Sequence, residues 1–139
     1  MPTILPDCRN SRASACGFTA IELLIVVTIV GILAVVAYNS YVAEMRRSAR
    51  AELQALVTTA ATRQSQFLVD RRRYAESLET LGMSVPASLA SKYAVAIAAN
   101  NDAAPRYTIT ATALGNQAHD KCPTLTVDNA GNRTPAGCW

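Results

Sequence analysis

The sequence predicts an α+β chain in which one long N-terminal α-helix, transmembrane at first and amphipathic afterwards, packs on a small antiparallel β-sheet. Three observations carry that expectation. Residues 17–38 read G-F-T-A-I-E-L-L-I-V-V-T-I-V-G-I-L-A-V-V-A-Y, an apolar run of membrane-spanning length with a single charge, Glu22. Beyond it no glycine or proline occurs before Gly82, and Ala49, Leu53, Leu56, Ala60 and Phe67 recur at helical spacing. Residues 93–99, 107–114 and 124–127 then alternate in size or polarity as half-buried strands do.

The helix is expected over residues 18–70, about 80 Å at ~1.5 Å per residue, so that about half of it projects beyond a hydrocarbon core of ~30 Å. Its apolar face should seek the sheet, while Arg46, Arg47, Arg50, Glu52, Gln54 and Arg63 mostly occupy other faces. Residues 71–86 form a connection, with one or two helical turns over 75–81 that end at Gly82. After the strands, Asp128, Asn129, Ala130, Gly131 and Asn132 are a turn, and a short returning strand follows around Arg133. Antiparallel strands joined in this way can place one face on the helix and leave the other wet. The chain contains no internal repeat or low-complexity tract.

Glu22 is the strongest functional signal. A lone carboxylate in hydrocarbon costs about 2.5 to 3.5 kcal/mol, and no Lys or Arg lies in the run to neutralise it. The cheapest cation is a free α-amine, created by cutting the chain after Gly17 and presented by a neighbouring copy. Gly17, Phe18, Thr19, Ala20, Ile21 and Glu22, with the apolar run behind them, closely resemble the class III signal of type IV prepilins. The resemblance implies the type IV pilin fold and cleavage between Gly17 and Phe18 by prepilin peptidase, which also N-methylates Phe18. It divides the chain into a cleaved leader (1–17), a hydrophobic transmembrane and filament-core helix (18–41) and a periplasmic head (42–139). Glycine suits the cut because it leaves the backbone unhindered in a protease cleft. Glu22 would neutralise the N-terminal amine of an adjacent subunit and set register. Losing one member of such a pair leaves an unpaired buried charge, at a cost of roughly 3 to 5 kcal/mol. A stray carboxylate snorkelling to the interface is the rival reading, outweighed by the complete signal. The chain departs from the family in one respect: Ala37, Tyr38, Asn39, Ser40 and Tyr41 contain no proline, so the usual kink is not expected, with Gly31 and Asn39 left as weak helix formers.

A chain of 139 residues, 122 after cleavage, holds one small domain beyond its helix. Loss of Asp7, Arg9 and Arg12 with the leader lowers the net charge from +3 to +2, too mild to argue for nucleic acid. A secretory signal is excluded because its apolar region would precede the cut, and a lipoprotein signal because no apolar stretch precedes Cys16. Arginines flank the run on both sides, so charge alone does not orient it. The resemblance places the leader inside. Cys8 and Cys16 leave with the leader, whereas Cys122 and Cys138 resemble the pair that bounds the C-terminal region of type IV pilins, which implies a periplasmic disulfide stabilising the fold by about 3 kcal/mol. Metal would need more ligands than His119, and none is expected.

The other candidates have plainer readings. Trp139 is expected to pack over the sheet rather than anchor a partner. Arg71, Arg72 and Arg73 suit a solvated helix exit better than a DNA contact. His119 and Asp120 look like a dyad but lack a nucleophile, and neither a phosphate loop nor a calcium cluster is evident, so no enzyme and no cofactor is expected. The reading is therefore a structural subunit of a type IV pilus, most like minor pilins of the PilE type in L-G-M at residues 81–83, Y-T-I-T-A-T-A and the ending C-P-T-L-T-V-D-N-A-G-N-R-T-P-A-G-C-W. It implies support of pilus assembly, twitching motility and adhesion. The implied partners are major and minor pilins, prepilin peptidase and the inner-membrane assembly platform. The head is expected in the periplasm before assembly and at the cell surface after it. A major pilin, a type II secretion pseudopilin and a DNA-uptake pilin are the alternatives, with nucleic acid not expected.

Overall fold

Helix α1 spans Ala20–Arg71 in the computed structural model, which describes residues 18–139. The expectations for Gly17, Cys8, Cys16 and the rest of the leader lie outside the described residues. Thr19 starts the helix: its Oγ1 accepts the Glu22 N–H at 3.3 Å, satisfying one of the free donors of the first turn. With no proline in its way the helix is unbroken through Gly31 and Asn39. It closes with Arg72 N–H on the Leu68 carbonyl at 2.8 Å, and Arg72 then turns left-handed at φ 55°. That conformation costs a side-chain-bearing residue roughly 1 to 2 kcal/mol. Two clamps just downstream hold it. Tyr74 exchanges two hydrogen bonds with the Asn101 amide, and the buried Gln64 amide pairs both backbone groups of Ala75, at 2.7 and 2.8 Å.

The chain divides into two units, residues 1–38 and 39–139. In the first, the described part is helix from Ala20 onward, and its apolar side chains are all exposed. The second has a core. On its part of α1, Ala49, Leu53, Val57, Ala60 and Gln64 are buried. The inward stripe thus runs through 49, 53, 57, 60 and 64, in steps of four, four, three and four, with Leu56 and Phe67 flanking it only partly buried.

The connection contains a 3-10 turn at Glu79–Leu81 and a short helix, α2, at Ala87–Ala90. Gly82 ends the 3-10 turn at φ 64°, a conformation that glycine adopts without cost, and Arg63 donates to the carbonyls of Leu81 and Gly82 there. A four-stranded antiparallel sheet follows in the order β1 (Tyr93–Asn100), β2 (Arg106–Ala113), β3 (Thr124–Asp128) and β4 (Arg133–Thr134). Strand β2 shows the period of two clearly: Tyr107, Ile109, Ala111 and Ala113 are buried and the threonines between them face outward. The inner face meets the stripe of α1 together with Leu78, Leu81 and Leu89. Each such leucine contributes about 1.5 to 3 kcal/mol by leaving water. Tyr74 and Tyr107 pack edge to face, with ring centroids 4.7 Å apart. Between β3 and β4, Asn132 donates from side chain and backbone to Asp128 and holds its carboxyl below the usual range.

Candidate assembly site

The first turn of α1 gathers the residues singled out by the sequence. Phe18 is 79% exposed and stands two residues before the helix starts. Glu22 lies in the first turn, exposed, where the unpaired N–H groups of the helix end favour a negative charge. Thr19 and Glu22 also have the T-x-x-E spacing of a capping box, and the Thr19 half of it is formed. From Ile21 through Val36 the large apolar side chains remain open on every face of the helix. A helix apolar all round is stable only where lipid or other chains surround it. The helix is long and apolar enough to cross a membrane.

The head fastens its loops to α1 by polar links. Asp120 accepts from Arg50 at 2.8 Å, Asn116 from Arg46 at 2.6 Å, and the buried Gln117 amide donates to the Arg46 carbonyl and the Tyr93 hydroxyl. Asp120 is therefore an ion-pair partner of Arg50. Burial pushes the Tyr93 hydroxyl above its ordinary value, against the opposing effect of the Gln117 bond. Cys122 and Cys138 are joined by a disulfide with Cα atoms 5.9 Å apart, and the Cys138 carbonyl accepts from Gln54 of α1. Trp139 packs against the core, donates to the Thr134 carbonyl at 3.3 Å and lies under the Arg133 guanidinium at 5.0 Å. Arg71, Arg72, Arg73 and Arg106 are exposed, and the Tyr74 to Asn101 bonds bring the two stretches to one end of the sheet. Among the described residues no group of His, Cys, Asp and Glu is arranged to hold a metal ion.

A family model described as "Prokaryotic N-terminal methylation motif" matches residues 12–38, and one described as "Type IV minor pilin ComP, DNA uptake sequence receptor" matches residues 38–126. This chain belongs to the type IV pilin family. The pilin is 33% identical over 85 residues to the type IV major pilin protein PilA of Myxococcus xanthus (strain DK1622), a stretch that makes up 61% of this chain and 39% of that relative. It shares its fold with a type IV pilin from Shewanella oneidensis at a TM-score of 0.55 and 23% identity, over 68% of this chain and 97% of that one. Its apolar N-terminal helix and its match to the methylation motif fit a membrane-anchored pilin. The long helix and small antiparallel sheet expected from the sequence are those of the family. Sequence reasoning passed over the capping role of Thr19 and the places of Gln64 and Gln117. The T-x-x-E spacing was the signal for Thr19; the two glutamines act on groups distant in sequence and left none.

Proposed function

We propose that the chain is a minor pilin that primes or supports pilus assembly and through it twitching motility and adhesion. The supporting observation is the minor-pilin family model over residues 38–126, most of the head. In this reading prepilin peptidase cuts between Gly17 and Phe18 and methylates Phe18, and the pilin waits in the inner membrane with its head in the periplasm. The assembly platform then extracts it into the filament. Apolar burial between the helices of neighbouring subunits supplies cohesion, and Glu22 pairs with the Phe18 amine of a neighbour to fix axial register. The test is quantitative: sheared filaments should contain this chain at a small fraction of the main subunit, and its deletion should lower pilus number. A content comparable to the main subunit would make it the major pilin, and absence from pili would favour a pseudopilin.

The family description also supports a second reading, DNA uptake. Arg71, Arg72, Arg73 and Arg106 would supply the cations that neutralise phosphates. Affinity for DNA should then fall steeply with salt, and replacing these arginines by glutamine should reduce the slope of log K against log salt by roughly 0.9 for each phosphate no longer neutralised. Salt-independent binding, or none, removes this reading.

A further inference from the structure

The two edges of the sheet are unlike. The β4 edge is blunted, since the strand has two residues and runs into Pro135, which has no N–H to offer. The β1 edge is open: eight residues in unbroken register with β2, Y-A-V-A-I-A-A-N, without a charge, a proline or a bulge. Such an edge is a template for another strand. Its direction follows from the register. Leu114 N–H donates to the Lys92 carbonyl, so the pairs Ala94 with Thr112, Ala96 with Thr110 and Ala98 with Thr108 are the hydrogen-bonded ones. The N–H and C=O groups of Val95 and Ile97 therefore point away from β2, into a groove of about 450 Å³. Glu76, Glu79, Met83 and Val85 line the groove with them. No backbone bond joins Val95 or Ile97 to residues 83–85, a stretch in neither helix nor strand. Apolar walls alternate with free backbone, and the charges lining the groove are two exposed carboxylates with no lysine or arginine among the lining residues.

We propose that this groove binds an extended, basic peptide segment of another protein by strand addition to β1. Main-chain bonds to Val95 and Ile97 supply the register, Met83 and Val85 receive alternate apolar side chains, and Glu76 with Glu79 select a lysine or arginine. A second copy of this chain is the wrong occupant. Pairing β1 with β1 would bring the glutamates of both copies together, and like charges facing each other at an interface select against that partner. The proposal rests on the head alone and stands apart from the place of the pilin in a filament.

The test uses the full chain, isotope-labelled in detergent micelles, and a capped heptapeptide alternating valine with threonine around one central arginine. Amide exchange at Val95 and Ile97 should slow on binding, while the amides of Ala94, Ala96 and Ala98, already paired with β2, change little. Glu76→Gln with Glu79→Gln should weaken binding about three- to thirty-fold, the range of two exposed ion pairs. Val95→Pro, which removes one outward N–H and no ladder bond, should abolish it; should that variant not fold, the glutamate pair still decides. Unchanged exchange at Val95 and Ile97 under saturating peptide would overturn the proposal, as would equal binding of the same peptide with glutamate in place of arginine.

Discussion

Leu24 and Leu53 are the same residue type on one helix, yet Leu24 is 67% exposed and Leu53 is wholly buried. The difference lies in what the chain itself supplies. Leu53 lies in a core built by the sheet, the folded connection and the inward stripe of α1, whereas Leu24 lies on a stretch of helix that is apolar all round, a pattern suited to lipid or to other chains. Residues 39–139 enclose a buried core, whereas every apolar side chain described in residues 18–38 is exposed.

The largest expected effect lies in the exposed half. Glu22→Ala should be processed normally and leave head melting unchanged, but lose roughly 3 to 5 kcal/mol of assembly through the neighbour's unpaired amine. Incorporation into filaments at the wild-type level would refute the register role. Leu53→Ala should do the reverse, costing about 2 to 5 kcal/mol of head stability in a thermal melt, with Leu24→Ala as its silent partner in the same assay. A melt in which the two leucines behave alike would break the comparison.

Within the head the effects grow smaller. Replacing Cys122 and Cys138 by serine should lower stability by about 3 kcal/mol, since the loop they close has a sequence separation of 16. Gln64→Ala strands the N–H and C=O of Ala75, a loss of about 1 to 3 kcal/mol, seen as faster exchange of the Ala75 amide. If that amide stays protected, the clamp has been misassigned. The smallest effect is one of pH. Burial raises Tyr93 and Tyr107 above their ordinary 10.0, so the stability they contribute is complete below that pH and is lost as pH rises through their raised values. A melting temperature that holds level above pH 10 would contradict this, and Tyr93→Phe should flatten part of the fall.

The two halves were also unequally legible. The apolar run and its single acid announce themselves in the sequence, because hydrocarbon tolerates so few residue types. In the head the strands were visible as alternation to within a residue or so at their ends, and the Gly82 turn as a breaker. The fine register of α1 was less so: Leu56 and Val57 both fit a helical spacing between Leu53 and Ala60, and only the sheet decides which of the two adjacent residues faces inward. Gln64 reads as an interruption of the apolar face, yet it is wholly buried because Ala75 needs an amide partner there. Gln117 and Asp120 depend on Arg46 and Arg50 about seventy residues away, a pairing that no local pattern encodes. Helix α2 has four residues, too few for a period to register.

The exposed half can be tested most directly by weighing the mature chain from sheared filaments and sequencing its N-terminus. The expected product is a polypeptide beginning at N-methylated Phe18, with the free amine that Glu22 of a neighbour requires. A chain that retains Gly17 and the residues before it, or that starts elsewhere, would contradict the pairing of Glu22 with that amine.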